Sequence, residues 1–169
     1  MLETTRIGYV LAIGEDAVDA SRFERLLARA SGAFVDEKAR LLERAISLWR
    51  GLPLVDGRYE EFAQSEVRRL EELHLRALEE LLAAKLQLGA CQEVVPELQQ
   101  LVEGSPYREQ LRMLLMVALH RSGRSVEALS TYVDWRRTLL ASWGIEPGRA
   151  IRQLSDEIRT HGHDLEITG

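Results

Sequence analysis

Two apolar stripes flanking Ser122-Gly123-Arg124 constrain this chain more than any other feature. In the first, Leu111, Leu114, Leu115, Ala118 and Leu119 recur at the i, i+3, i+4, i+7, i+8 spacing of one helix face. In the second, which restarts at Ser125, Ala128, Leu129, Tyr132, Trp135 and Leu139 share one side. Gly123 can take the left-handed conformation that ends a helix, so the turn between the stripes is short. Stripes joined so tightly must pack on each other as a helical hairpin. Ser105 is placed to cap the first helix and Pro106 to occupy its first position, where no N–H donor is needed. Gly144-Ile145-Glu146-Pro147-Gly148 ends the second.

The hairpin recurs. A shift of 34 residues carries Gly89 onto Gly123, Glu93 onto Glu127, Val94 onto Ala128 and Leu98 onto Tyr132. Pro106 stands 12 residues after Val94, where a tetratricopeptide repeat commonly places its closing proline. The period and these positions resemble the tetratricopeptide pattern, without its usual Trp, Leu and Gly in the first helix. A weaker copy spans Asp36–Trp49. Each hairpin leaves one apolar face bare, and stacking of neighbours buries it. The expected fold is all-α: a tetratricopeptide-like stack of about three hairpin units, with a short N-terminal β element.

A length of 169 residues suits one domain, or a domain plus a fragment. Such a chain buries roughly two thirds of its unfolded surface and needs no metal or disulfide staple. The single cysteine, Cys91, cannot close an internal disulfide, which fits a reducing cytoplasm. No apolar run approaches the ~20 residues of a membrane helix, and the N-terminus lacks the basic and apolar regions of a signal peptide. The expectation is a soluble cytoplasmic protein with no membrane partner. A net charge of −5 argues against nucleic-acid binding by the whole chain, which ordinarily needs a basic face, and favours a protein partner.

Residues 1–13 break the helical pattern. Thr4–Ile13 is rich in β-branched and aromatic residues, and Tyr9, Leu11 and Ile13 alternate as a half-buried strand does, with Gly8 as a bulge or turn. One strand makes no sheet, so its partners are expected in another chain or beyond this sequence. Gly14-Glu15-Asp16 reads as a turn, and a helix over 20–30 follows with Ser21 and Glu24 at capping-box spacing. Asp36 is placed to cap a helix through Trp49, and Arg50–Gly57 forms a loop. The longest helix spans 60–88. Its seam of Leu70, Leu73, Ala77, Leu81, Ala84 and Leu88 suits a coiled coil and, more simply, an intramolecular packing face. Helices over 92–103, with Pro96 in its first turns, and 149–159 complete the set, and 161–169 reads as a flexible tail.

The chain carries no Gly-rich phosphate loop, no Cys-x-x-Cys pair and no nucleophile elbow. His161, His163 and Asp164 have metal-ligating chemistry, but close histidines in a tail are ordinarily coincidental. His74 and His120 fall on helices and read as packing or surface residues. Trp49, Trp135 and Trp143 sit at hairpin ends, where aromatics more often anchor a core than recognise a partner. No catalytic residue, metal ligand or cofactor site is assigned, and no enzymatic activity is expected.

Several segments, in order, resemble the bacterial transcriptional activator domain found in the antibiotic-pathway (SARP) regulators of actinobacteria. Leu41–Gly51 matches its first signature; Leu70-Glu71-Glu72-Leu73, Leu88-Gly89 and Met116–Arg124 follow. So do Glu127-Ala128-Leu129, Tyr132 and Gly144-Ile145-Glu146-Pro147. The match covers about residues 18–160. Two stretches depart from it: Val133-Asp134-Trp135 replaces a more basic sequence and Ala141-Ser142-Trp143 an acidic one. In these regulators the domain follows a winged-helix DNA-binding domain, whose last strand ends in a pattern similar to Gly8-Tyr9-Val10-Leu11.

The resemblance implies four stretches. Residues 1–13 would be the end of a winged-helix domain whose recognition helix is missing from this sequence; 14–35 would hold a linker and first helix. Residues 36–160 would form the activator domain and 161–169 the tail. The implied function is the effector part of a transcriptional activator, working through contacts with its own DNA-binding domain, a second protomer or RNA polymerase. DNA would be bound through the full-length protein, weakly or not at all by this chain alone, with Arg6 as a phosphate contact. The partner surface is expected around Tyr107, Arg108, Arg112, Tyr132, Arg136 and Arg137, where helices expose charge and aromatics. The alternative is a stand-alone tetratricopeptide-type scaffold that binds a peptide or helix, and the N-terminal strand is what argues against it.

Overall fold

Helix-forming composition and regularly spaced leucines yield seven helices among the described residues, preceded by a β-hairpin. The computed structural model describes residues 2–5, 8–11, 15–49 and 60–164, with side chains over 20–49 and 65–160. The elements are β1 (Leu2–Thr5), β2 (Gly8–Leu11), α1 (Glu15–Ala30), α2 (Val35–Ser47), α3 (Glu60–Gln87), α4 (Cys91–Gly104), α5 (Glu109–Arg121), α6 (Ser125–Trp143) and α7 (Arg149–Asp164). The fold is all-α and tetratricopeptide-like with a short N-terminal β element. Two compact units divide it, Met1–Leu81 and Leu82–Gly169, and α3 contributes to both.

In the first unit, β1 and β2 pair antiparallel with Leu2 opposite Leu11 and Thr5 opposite Gly8. The strand at Gly8–Leu11 therefore finds its partner inside the chain, in Leu2–Thr5, whose apolar content is too small to show alternation. Gly8 begins β2; it is not a bulge. Helix α1 starts at Glu15, so neither the Gly14–Asp16 turn nor the Ser21 capping box forms. The residues from Glu15 to Ala20 include no proline or glycine, and the helix simply extends through them. Glu24 instead pairs with Arg69 of α3 at 2.5 Å, and Arg69 also binds Glu66, its neighbour at i−3.

Asp36 lies in the first turn of α2 and does not cap it: the N-cap position is Phe34, which makes no side-chain bond. Acidic residues in a first turn still favour the helix through its dipole. Phe23, Leu26 and Ala30 of α1 and Ala39, Leu41, Leu42 and Ala45 of α2 form the buried faces. Trp49 stacks on His74 of α3 with ring centroids 4.3 Å apart, and Phe23 closes the cluster at 5.9 Å from Trp49. Burial in this apolar setting lowers the pKa of His74. The expected loop over Arg50–Gly57 lies outside the described residues.

The seam of α3 is an intramolecular packing face: Leu70, Ala77, Leu81 and Ala84 are buried within this single chain, whereas Leu88 is exposed. In the second unit, α4, α5, α6 and α7 pack in succession, and α5 also touches α7. Both ends of the 34-residue shift adopt the same conformation, since Gly89 and Gly123 have φ of 90° and 78°. Val94 and Ala128, matched by the shift, are both buried. Arg121 donates to the carbonyl of Leu86 at 3.2 Å and so ties the end of α5 to the last turn of α3.

The start of α5 differs from expectation. Ser105 is the C-cap of α4, its N–H donating to Leu101, and its carbonyl accepts from Arg108 at 3.1 Å. Pro106 and Tyr107 form the connecting turn, and α5 begins at Glu109. Pro96 is the sixth residue of α4, past the stretch whose N–H groups lack helical partners, so one bond of that helix is missing on its exposed side. Helix α7 runs to Asp164, into the stretch expected as tail; the side chains of His161, His163 and Asp164 lie outside the described residues.

Candidate protein-contact surface

The second unit presents two polar–aromatic surfaces. One is built on Trp135, a buried member of the apolar stripe of α6. Its indole N–H faces Glu109 Oε2 at 3.4 Å, and the guanidinium of Arg112 lies 4.3 Å above its ring. Arg112 donates to the carbonyl of Pro106 at 2.7 Å, while its buried Nε finds no partner among the described residues. Loss of water around the guanidinium lowers its pKa. Tyr107 tilts onto Trp135 at 6.3 Å and meets Trp143 edge-on at 6.2 Å and 80°. Tyr107 and Trp143 are both exposed, so of the three tryptophans Trp135 is a core anchor and Trp143 is not.

The other surface is a groove of about 740 Å³ between α6 and α7. Tyr132, Arg136, Arg137 and Leu140 come from α6, and Arg152, Asp156 and Arg159 from α7. Positions 132, 136 and 140 fall on one helix face by their four-residue spacing, as do 152, 156 and 159. Arg136 grips Glu146 with two bonds of 2.7 and 2.6 Å. Those bonds, and the nearby charges of Arg136 and Arg152, hold the Glu146 carboxyl below its usual pKa. Arg137 pairs with Asp134 and Arg159 with Asp156, each at 3.0 Å. Exposed pairs of this kind add little stability and mainly orient the side chains.

The six residues expected to form one partner surface therefore separate. Tyr132, Arg136 and Arg137 line the groove, Tyr107 and Arg112 belong to the tryptophan cluster, and Arg108 is the N-cap residue of α5. Arg6 lies outside the described residues. Sequence reading missed Glu109, Glu146, Arg152 and Arg159. Arg152 and Arg159, seven apart on the last helix, carried a legible signal as a basic stripe. Glu109 carried none, because its partners are 26 and 39 residues away. Among the described residues no group of three or more His, Cys, Asp or Glu side chains is arranged to hold a metal ion.

Residues 18–159 match the family model of the bacterial transcriptional activator domain, which leaves β1 and β2 outside the matched region. The transcriptional regulator RedD of Streptomyces coelicolor is 36% identical over 163 residues, a stretch covering 95% of this chain and 47% of RedD. The regulatory protein DnrI of Streptomyces peucetius is 35% identical over 162 residues, covering 94% of this chain and 60% of DnrI. This chain thus spans about half the length of these relatives. A structure of Mycobacterium tuberculosis EmbR in complex with a low-affinity phosphopeptide superposes with a TM-score of 0.81 at 30% identity, over 95% of this chain and 43% of that one. On the helical-hairpin fold, the matched residues and these relatives, the chain belongs to the bacterial transcriptional activator domain family.

Proposed function

We propose that this chain is the effector part of a DNA-binding transcriptional activator and acts through protein contacts, not through chemistry of its own. The observation that carries the reading is the arginine-lined α6–α7 groove together with the exposed Tyr107 and Trp143, inside a domain shared with proteins named as transcriptional regulators. Arginine and aromatic side chains are the residue types that most often dominate binding energy at protein interfaces. Candidate partners are RNA polymerase, the protein's own DNA-binding domain and a second protomer. On this reading residues 1–13 are the last hairpin of a winged-helix domain, and DNA is held through the full-length regulator. No helix among the described residues is long and apolar enough to cross a membrane, and the reading puts the protein in the cytoplasm.

The test is to fuse the full chain to an unrelated DNA-binding domain and to measure transcription from a bacterial promoter carrying that domain's operator. Activation of several-fold over the unfused DNA-binding domain is expected. A folded fusion that occupies the operator without raising transcription would overturn the effector reading and bring the stand-alone scaffold forward.

A further inference from the structure

Helix α6 carries an apolar stripe that stays exposed among the described residues. Val126, Val133 and Leu140 recur every seven residues and are 78%, 49% and 40% exposed. A seven-residue apolar repeat is the pattern by which one helix packs along another. From Val126 to Leu140 the stripe runs about 21 Å, four turns of helix. Its lower half opens into the α6–α7 groove, whose arginines outnumber its carboxylates four to two on a chain of net charge −5. Three of those arginines are neutralised within the surface, by Glu146, Asp134 and Asp156. Arg152 makes no ion pair among the described residues and reaches Glu146 only through its field.

We propose that this stripe and groove dock an acidic amphipathic helix of a partner protein. Its apolar side would lie on Val126, Val133 and Leu140, and its carboxylates would face Arg152. The chemistry selects this occupant over two others. A phosphate backbone matches the arginines but has nothing to set against an apolar stripe four turns long. A second copy of the chain would bring the same arginines to the groove and gain no charge match. The proposal narrows the protein-contact reading above to one face and one partner chemistry. The reporter fusion tests that reading without reference to the groove, so the two can fail separately.

The experiment is selection of binders to the intact chain from a library of random 14-residue helix-biased peptides, followed by titration of the enriched sequences. Enriched peptides should be net acidic, with large aliphatic or aromatic residues at helical spacing. Leu140→Glu and Arg152→Glu, both at exposed positions, should each weaken them at least ten-fold while circular dichroism stays unchanged. Added salt should weaken binding to the wild type more than to Arg152→Glu. Absence of enrichment, enrichment of basic peptides, or equal binding by the wild type and both variants each overturns the proposal. So does a random-sequence DNA duplex that binds the chain and is lost in Arg152→Glu, which assigns the groove to nucleic acid. A dimer in sedimentation that Leu140→Glu dissociates also overturns it, because the stripe then belongs to a second copy.

Discussion

The carboxylate of Glu109 accepts a hydrogen bond from the backbone N–H of Gly148 at 2.9 Å and so pins the α6–α7 connection to the first turn of α5. A β-carbon built on Gly148 would overlap Glu109 Oε1. Glu109→Ala should therefore cost about 1–2 kcal/mol, the loss of a hydrogen bond to a charged acceptor. Gly148→Ala should cost about 1 kcal/mol by expelling the same carboxylate. Because both substitutions break one contact, the double variant should fall short of the sum. Urea unfolding of the four proteins measures this directly, and simple additivity would show that the contact couples nothing.

Arg112 tests whether packing or charge matters at Trp135. Its guanidinium is half-buried over the indole, has one orphaned nitrogen and carries a pKa lowered by burial. Arg112→Met keeps the apolar stem and removes the desolvated charge, so stability should stay within about 1 kcal/mol of the wild type. Arg112→Ala removes the stem as well and should cost about 2 kcal/mol. Equal losses in the two variants, read by denaturant unfolding with tryptophan fluorescence, would mean that the charge itself is what stabilises the site.

A pair of truncations separates a core position from the exposed end of the α3 seam. Leu111→Ala removes a fully buried α5 side chain and should cost about 2–5 kcal/mol, transfer and cavity together. Leu88→Ala, at a position 47% exposed, should change stability by less than about 0.5 kcal/mol. A large loss at Leu88 would reveal that the residue is covered in solution, as in a coiled-coil dimer.

His74 makes the first unit sensitive to acid. Its folded pKa lies below the ordinary imidazole value of 6.5, so protonation favours the unfolded chain. The stability contributed by neutral His74 is fully present above pH about 6.5. It declines as the pH falls from there toward the folded pKa, and levels off below it. His74→Phe should remove this part of the pH dependence and leave the carboxylate part that lies lower. Unfolding at about pH 7.5 and about pH 5.5 compares the two proteins across that window. An identical slope in both would assign the acid sensitivity to other groups.

The helices were largely legible because their signals are local. The faces of α5, α6 and α7 follow from spacing alone: Leu111, Leu114, Leu115, Ala118 and Leu119 are all buried, as are Trp135, Leu139, Ile151 and Ile158. Helix ends were less legible, since a cap competes with the turn before it. Ser105 has the chemistry of an N-cap yet closes α4, because Pro106 and Tyr107 turn the chain before α5 can begin.

By itself the sequence determined the hairpin register, the 34-residue recurrence with left-handed glycines at 89 and 123, and membership of the family. Tertiary structure alone decided how the surface residues divide: Arg112 went to Trp135, Arg136 to Glu146, and Glu109 to a backbone amide 39 residues away. The physical reason is range. Periodicity and glycine conformation are imposed within one or two helical turns, whereas pairing among arginines and carboxylates depends on which faces the packed core brings together.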